Sequence, residues 1–284
     1  MEAKLVSAPF SLLLDVGNTH IKYAWYCENQ QISDLQIMRT TLDGLSALLC
    51  DAYSCYVCCV QSNDILNAIS KMCDDASVKY THVKTQSEQF AITNAYNNPS
   101  NMGTDRWMAI IAGGALSEKN YLVVDAGTAI TCDFIINKVH KGGWIAPGLN
   151  MARQAVVEKT KKVFDQEISL HNLQTGTDTP DCVAHGALAQ ITGMLAQAKL
   201  IMFEYGSYFD IFISGGDGAL LISASDQLHS SSVRAKKQHL NSASANKFKK
   251  DVIFSTELGF TYYLENLVLV GLARIAQDDF ATNV

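Results

Sequence analysis

The stretch LLLDVGNTH, residues 12 to 20, ends an apolar run in a carboxylate and a polar turn. Asp15 follows three leucines, and Gly17, Asn18 and Thr19 come directly after it in the same short stretch. One interpretation is a phosphate-binding turn, because glycine lets the backbone approach a ligand while amides and a hydroxyl supply donors. The other interpretation is a β-hairpin turn, in which glycine and asparagine are common. Taken alone, the stretch is compatible with both.

The same layout occurs a second time in YLVVDAGTAITCDFI, residues 121 to 135. An apolar run again ends in an aspartate, Asp125, and a glycine and a threonine again precede a β-prone segment. Two copies at a separation of domain size predict an internal duplication with two similar halves facing each other. A plain hairpin turn would have to arise twice by coincidence, so the second copy favours phosphate-binding turns.

A third glycine-rich turn, GGDG at residues 215 to 218, follows the apolar run FDIFIS. Such a turn lets a flat ring or a sugar lie against the backbone, although the same residues also form ordinary loops. The order of the three turns resembles that of the actin, hexokinase and Hsp70 superfamily, where two phosphate turns and an adenosine turn enclose ATP. We therefore expect an α/β fold of duplicated actin-like, ribonuclease H-like domains with a nucleotide cleft between them.

The domain organisation follows from the positions of these turns. The 284 residues, 48% apolar and 18% charged, are enough for two domains with proper cores. We assign residues 1–117 to an N-terminal domain with the first phosphate turn, and residues 118–284 to a C-terminal domain with the other two turns. Residues 225–250 are polar, serine-rich and locally basic, which predicts a solvated insertion. A basic patch for a partner is the alternative interpretation.

Charge and hydropathy exclude several classes of protein. The formal charge of −6 argues against a general nucleic-acid-binding protein, which needs a basic face to neutralise phosphates. The N-terminus lacks the layout of a signal peptide, and the apolar run LVLVGLARIA near the C-terminus is too short to span a bilayer. We therefore expect a cytoplasmic protein without nucleic-acid or membrane partners.

An acidic and a basic residue stand together between the two phosphate turns. A loop rich in Asn, Ser and Pro precedes the apolar helical segment TDRWMAIIAGGAL. Thr104 is a candidate N-cap, which places Asp105 and Arg106 at a helix N-terminus. The simple interpretation is an ion pair that also complements the helix dipole. The functional interpretation is that Arg106 binds an anionic substrate while Asp105 accepts a proton from a hydroxyl group.

A set of motifs in one order resembles the type III pantothenate kinases, enzymes that begin coenzyme A synthesis. The motifs are DVGNTHIK, NPSNMGTDR, DAGTAITCD, GGWIAPGL, TGTDT and GGD. The resemblance extends from about residue 11 to residue 222 and resumes in LENLVLVGL near the end. It implies a sugar kinase, Hsp70 and actin type fold, a homodimer, and transfer of the γ-phosphate of ATP to the primary hydroxyl of pantothenate.

The resemblance also implies which residues bind the two substrates. The ATP-binding residues correspond to Asp15, Val16, Gly17, Asn18, Thr19, His20, Ile21, Lys22 and Thr128. The pantothenate-binding residues correspond to Tyr96, Gly103, Thr104, Asp105 and Arg106, with Asp105 as the catalytic general base.

Two further correspondences concern cations and the dimer. Asp125 corresponds to the ligand of a monovalent cation, K⁺ or NH₄⁺, which the family requires beside Mg²⁺. Thr179 in TGTDT corresponds to a threonine that reaches the substrate across the dimer interface. Asp178 stands where the family commonly has serine, so the choice among the threonines of residues 175–179 stays open.

The chemistry of phosphoryl transfer agrees with this set of residues. Catalysis is mainly positioning plus countercharge, which metal, Lys22 and turn amides would supply. Asp105 needs only to orient and deprotonate an alcohol, and the carboxylate of pantothenate supplies the anion for Arg106. The alternatives are a non-catalytic regulatory or accessory protein of the same fold, and another small-molecule kinase of the superfamily. A regulatory protein would be expected to lack one of the site aspartates, and all three are present.

Overall fold

The computed structural model describes residues 10–17, 21–28, 30–160, 170–230, 252–256 and 259–282. The chain divides into two compact units. The first comprises Met1–Leu116 and Asn266–Val284, and the second comprises Ser117–Glu265.

Strands and helices alternate along the described residues, as expected of an α/β protein. The strands are β1 (Ser11–Val16), β2 (Ile21–Tyr26), β3 (Met38–Thr40), β4 (Ser54–Cys59), β5 (Lys79–His82), β6 (Glu88–Gln89), β7 (Ile92–Thr93), β8 (Asn120–Ala126), β9 (Ala129–Ile136), β10 (Val139–Pro147), β11 (Phe209–Ser214), β12 (Val252–Thr256) and β13 (Gly259–Tyr263). The helices are α1 (Leu45–Leu49), α2 (Asn63–Asp75), α3 (Thr104–Leu116), α4 (Leu149–Lys159), α5 (Thr179–Glu204), α6 (Gly218–Ser230) and α7 (Leu267–Thr282).

The first unit is built on a mixed sheet with the strand order β3-β2-β1-β4-β5. β1 pairs antiparallel with β2, and β2 pairs antiparallel with β3. The pairs β1–β4 and β4–β5 are parallel. β4 is buried along its whole length, and β1 is buried at every position except Asp15. Central strands covered on both faces are apolar throughout, which explains the continuous runs SLLL and SCYVCC.

The second unit repeats this topology. β8 pairs antiparallel with β9, and β9 pairs antiparallel with β10. β8 pairs parallel with β11, and β11 pairs parallel with β13. The order β10-β9-β8-β11-β13 therefore matches β3-β2-β1-β4-β5 strand for strand, with β12 added antiparallel to β13. The matching order confirms the duplicated, ribonuclease H-like fold that the repeated turn predicts.

The C-terminal helix α7 belongs to the first unit, whereas the positions of the turns in the sequence predict that residues 266–284 belong to the second domain. Its residues from Leu267 to Ala273 are buried, and Gly271 lies against the backbone of Met108 in α3. A Cβ at Gly271 would overlap the carbonyl group of Met108, so the close packing of α7 on α3 requires glycine.

The predicted insertion at residues 225–250 begins inside α6. This helix continues to Ser230, and Ser225 is buried with its hydroxyl donating to the carbonyl oxygen of Ile222 at 2.9 Å. The polar composition does not predict this part of the helix, because a serine hydroxyl can donate to a backbone carbonyl oxygen of the preceding helical turn. Residues 231–251 lie outside the described residues.

Helix α5 is long and apolar enough to cross a membrane by length and composition. Its residues Leu188, Ile191 and Leu195 lie in the core of the second unit, together with residues of β8, β9 and β11. Core helices of water-soluble domains meet the same criteria of length and composition. One face of α5 therefore packs in the core, while 39% of its most apolar window is buried.

Candidate functional site

The first predicted phosphate turn follows β1 in the first unit. Asp15, one residue before the end of β1, is paired with Lys22 of β2 in the antiparallel ladder. The carbonyl oxygen of Gly17 accepts a hydrogen bond from the side-chain amide of Gln61. A lysine and a carboxylate therefore flank a turn whose backbone is held by a neighbouring side chain. The remaining turn residues, Asn18, Thr19 and His20, lie outside the described residues.

Two of the residues matched to ATP binding have buried side chains. Val16 and Ile21 are 1% and 8% exposed and belong to the core of the first unit. Their aliphatic side chains hold the two strand ends that flank the turn. A contact between either residue and a nucleotide would therefore have to come from the backbone.

The carboxylate of Asp15 lies among three polar side chains of the first unit. Asn266 donates a hydrogen bond from Nδ2 to Oδ2 of Asp15 at 2.7 Å. Burial raises the pKa of Asp15, the hydrogen bond from Asn266 and the charge of Lys22 lower it, and the charge of Asp105 raises it. The charge of Asp105 is thus among those that act on Asp15, the residue at which the first phosphate turn begins.

Asp105 lies in the first turn of α3, as predicted. Its Oδ1 accepts a hydrogen bond from the backbone amide of Arg106 at 2.8 Å. The helix begins at Thr104, so Gly103 and not Thr104 precedes it, and the carbonyl oxygen of Gly103 accepts from the Trp107 amide at 3.1 Å. A Cβ at Gly103 would overlap Oδ1 of Asp105, so glycine gives the carboxylate room beside the helix N-terminus.

Arg106 and Tyr96 are in contact. Nη1 of Arg106 donates to the hydroxyl of Tyr96 at 3.1 Å, and the guanidinium carbon lies 5.9 Å from the centroid of the Tyr96 ring. The backbone at Tyr96 is held by Asn94, whose Oδ1 accepts a hydrogen bond from the Tyr96 amide at 2.9 Å. Arg106 is only 7% exposed. A buried guanidinium fixed by an aromatic partner is well suited to bind a carboxylate.

The thiol of Cys58 lies close to both aspartates, at the end of β4. Burial raises the pKa of Cys58 well above its usual range, and the charges of Asp15 and Asp105 raise it further. Cys58 is paired with Asp15 in the parallel ladder of β1 and β4. The two carboxylates therefore gather at the carboxyl ends of the two central strands, where open α/β sheets bind their ligands.

The second predicted phosphate turn lies at the equivalent place in the second unit. The amide of Gly127 donates to the carbonyl oxygen of Ala129 at 3.1 Å, and the amide of Gly148 donates to that of Thr128 at 3.1 Å. Gly148 precedes α4, and a Cβ there would overlap the carbonyl group of Gly127. The turn with Thr128 therefore packs against the N-terminus of a helix, where anions bind favourably.

The third turn lies directly against the second. Ser214, at the end of β11, is paired with Asp125 of β8, and a Cβ at Gly215 would come 2.6 Å from Oδ1 of Asp125. Gly215 also has a φ of +92°, which favours glycine. The amide of Asp217 donates to the carbonyl oxygen of Ala126 at 3.0 Å. Asp125 and both glycine turns of the second unit thus form one cluster.

Thr179 stands at the first position of α5 in the second unit. Asp178 caps the helix, with Oδ1 accepting from the Asp181 amide at 3.0 Å. Aspartate is a strong N-cap residue, which explains why Asp178 suits this position. Thr177 and Thr179 both line a cavity of about 720 Å³ between α4 and α5, with Gly176 at its wall.

Two residues that contact the first turn have no role in the sequence analysis. Asn266 belongs to the quoted motif LENLVLVGL, and an asparagine before an apolar helical run is an N-cap signal that could have located the start of α7. Gln61 follows the buried strand β4, and no pattern in the sequence connects it with Gly17.

The repeated ribonuclease H-like units, each with a carboxylate and a glycine turn at the carboxyl ends of its central strands, define the fold class of the chain, and the fold alone does not fix the activity. The chain belongs to the type III pantothenate kinase family, whose sequence profile matches residues 11–199, and this membership makes it a phosphotransferase.

Individual relatives agree with this assignment. A type III pantothenate kinase of Pseudoalteromonas atlantica is 32% identical over 215 residues, which cover 74% of this chain and 87% of the relative. The type III pantothenate kinase of Idiomarina loihiensis is 34% identical over 237 residues, which cover 74% of this chain and 89% of the relative. Among solved structures, a Campylobacter jejuni protein assigned to the Baf family of transcriptional activators has a TM-score of 0.52 at 18% identity, covering 96% of this chain and 100% of that one. This last likeness concerns the fold alone.

Proposed function

We propose that this protein transfers the γ-phosphate of ATP to the primary hydroxyl of pantothenate, the first step of coenzyme A biosynthesis. The observation that carries the proposal is the group formed by Asp105, Arg106 and Tyr96 at the N-terminus of α3, in a chain of the type III pantothenate kinase family. In the reaction the hydroxyl oxygen bonds to the γ-phosphorus, the bond between that phosphorus and the bridging oxygen breaks, and ADP leaves. The products are ADP and 4′-phosphopantothenate.

We assign the general-base role to Asp105. The Arg106 amide nitrogen lies 2.8 Å from Oδ1 of Asp105, and this hydrogen bond fixes the orientation of the carboxylate. An ionised carboxylate has two oxygens and several lone pairs, so this bond leaves it able to accept the proton of a substrate hydroxyl.

We assign recognition of the pantothenate carboxylate to Arg106. The planar guanidinium can make paired hydrogen bonds to a carboxylate, and its burial strengthens such a pair. Tyr96 holds the guanidinium through its hydroxyl and lies beside it with its ring. Gly103 and Thr104 complete the segment, with Gly103 giving space to the Asp105 carboxylate.

The two phosphate turns are proposed to bind ATP with Mg²⁺. Lys22 beside Asp15 fits this role, since a lysine supplies positive charge to phosphates and a carboxylate can hold a magnesium ion or its water. The second turn offers Thr128 beside the N-terminus of α4. Magnesium usually arrives with the phosphates and takes only one or two protein carboxylates, which agrees with this sparse acidic set. When bound, it would neutralise charge on the β- and γ-phosphate oxygens.

A monovalent cation, K⁺ or NH₄⁺, is proposed to bind at Asp125. The carboxylate lies beside the backbone of Gly215 and of the second turn, where peptide oxygens are close by. A single carboxylate with neutral oxygens suits a singly charged ion. Within the described part of the chain, no three His, Cys, Asp or Glu side chains group together as a metal site, so the proposal concerns one carboxylate only.

We also propose a cytoplasmic homodimer in which a threonine of one subunit reaches the pantothenate of the other. The cavity lined by Thr177 and Thr179 supports this, since both hydroxyl-bearing residues lie along one groove of the second unit. Val156 of α4, which also lines this cavity, is 43% exposed, as apolar interface residues often are in an isolated subunit.

The direct test uses purified protein with ATP, Mg²⁺ and pantothenate, with and without potassium. Mass spectrometry should detect 4′-phosphopantothenate, with a higher rate when potassium is present. ATP hydrolysis without a phosphorylated pantothenate, or transfer to a sugar in its place, would contradict the proposed substrate.

A further inference from the structure

We propose that Asn266 is a positioning residue, whose side-chain amide holds the Asp15 carboxylate in place for the nucleotide and connects it to the N-terminus of α7. This inference rests on the proposed function, because it takes Asp15 to face the phosphates of ATP. Asn266 is 4% exposed and lies outside residues 11–199, the part of the chain that the family profile matches.

Both ends of the Asn266 amide are engaged. Oδ1 accepts a hydrogen bond from the backbone amide of Leu269 at 2.8 Å, and Nδ2 donates to Oδ2 of Asp15 at 2.7 Å. A backbone N–H can only donate, so the atom facing Leu269 must be the oxygen, and the amide nitrogen therefore faces Asp15. The distance to Asp15 lies at the short end of the range for N–H···O hydrogen bonds.

Asparagine is suited to this pair of contacts. A serine could cap the helix but is too short to reach Asp15 as well. An aspartate could cap the helix but would place a second carboxylate against Asp15. An alanine would remove both contacts. The side chain thus has two separable tasks, and different substitutions remove one or both of them.

The donor is carried by a rigid element. Leu269 and Leu272 of α7 are fully buried, and Gly271 packs against the backbone of Met108 in α3. Helix α3 also begins with the segment that contains Asp105. Through Asn266, the helix that packs on α3 also holds the carboxylate of the first phosphate turn, so both aspartates are fixed by one packed framework.

Asn266→Ser is the variant that separates the two tasks, since it keeps the cap and removes the contact to Asp15. Because a hydrogen bond to a charged group is involved, we expect kcat/KM for ATP to fall about 10- to 100-fold. The KM for pantothenate should change less than about twofold, and the circular dichroism spectrum should stay that of the folded wild type.

Tyr56→Phe is the matched control. It removes the hydrogen bond from the Tyr56 hydroxyl to Oδ2 of Asp279 at 2.8 Å, which ties β4 to the other end of α7. If Asn266 acts only by anchoring α7, this variant should have a similar kinetic effect. We expect its kinetic constants to stay within about twofold of the wild type.

A double-mutant cycle with Asp15→Asn decides whether Asn266 acts through Asp15. We expect Asn266→Ser to cause little further loss of kcat/KM for ATP in that background. Equal losses with and without Asp15 would overturn the proposal. Asn266→Asp serves as a second variant that keeps the cap and the shape, and wild-type ATP kinetics in either variant would also overturn it.

The affinity for MgADP, measured by calorimetry, tests the role of Asn266 without the pantothenate reaction. Asn266→Ser and Asn266→Asp should weaken MgADP binding even if the wild-type protein phosphorylates a different alcohol. Unchanged MgADP binding in both folded variants would contradict the positioning role. Failure of both variants to fold would assign Asn266 to the stability of α7 alone, and would equally overturn the proposal.

Discussion

Replacement of Asp105 by asparagine removes the proposed base with little change of shape. The side-chain oxygen that accepts a hydrogen bond from the Arg106 amide at 2.8 Å is also present in asparagine, so the first turn of α3 should keep this bond. What is lost is the ability to accept a proton from the hydroxyl of pantothenate. The variant should therefore fold like the wild type and differ in the chemical step.

The size of the expected effect follows from this single loss. Removal of a general base typically costs about 10²- to 10⁴-fold in rate, which corresponds to roughly 3 to 5 kcal/mol of transition-state stabilisation. Because Arg106 and the phosphate turns are intact, the KM values for ATP and pantothenate should change little.

The assay is release of ADP at saturating ATP and pantothenate, with product identity checked by mass spectrometry. Asp64→Asn is the matched control, because Asp64 is an exposed aspartate in the first turn of another helix, α2. It should keep wild-type kcat. A folded Asp105→Asn protein with near-wild-type kcat would refute the assignment of the base, and a parallel rise in both KM values would indicate a binding role.

Further predictions concern the cation, the substrate, the dimer and pH. Asp125→Ala should abolish stimulation by potassium, and a variant that responds to potassium as the wild type does would place the cation elsewhere. Arg106→Lys should raise the KM for pantothenate about tenfold or more and leave ATP binding nearly unchanged, because an ammonium group cannot reproduce the planar fork. A mixture of Asp105→Asn and Thr179→Val subunits should recover activity, because one site of each heterodimer carries both defects and the other site carries neither. If mass spectrometry proves that heterodimers form and they stay inactive, the pocket is built within one chain. Burial raises the pKa of Asp15 above its value in the unfolded chain, so the folded state binds that proton more tightly and loses stability as pH rises through the pKa of Asp15. Asp15→Asn should therefore raise Tm at pH 7 while weakening MgADP binding, and an unchanged or lower Tm would contradict this.

Local patterns predict the fold and part of the site. The repeated strand, aspartate and glycine turn predicts the duplication, which the shared strand order confirms. Asp105 and Arg106 stand out in the sequence as an acidic and a basic residue at a helix N-terminus, whereas Tyr96 is indicated only by the family resemblance and its bond to Arg106 comes from the structure. Their assigned roles in catalysis and binding stay predictions.

Contacts between distant parts of the chain were not predictable in the same way. Asn266 and Asp15 are 251 residues apart, and the bond between them depends on α7 packing with the first unit. The bond from Gln61 to Gly17 likewise depends on the parallel pairing of β1 and β4. Hydrophobic periodicity identifies a buried helix but does not show which sheet the helix packs on. The sequence alone therefore does not place α7 in the first unit.

The central claim is tested most directly by following the label from [γ-³²P]ATP in the presence of pantothenate, Mg²⁺ and potassium. We expect the wild-type protein to transfer the label to pantothenate. Under the same conditions, the Asp105→Asn variant should transfer about 10²- to 10⁴-fold less label. A wild-type protein that binds ATP but leaves pantothenate unlabelled would contradict the central claim.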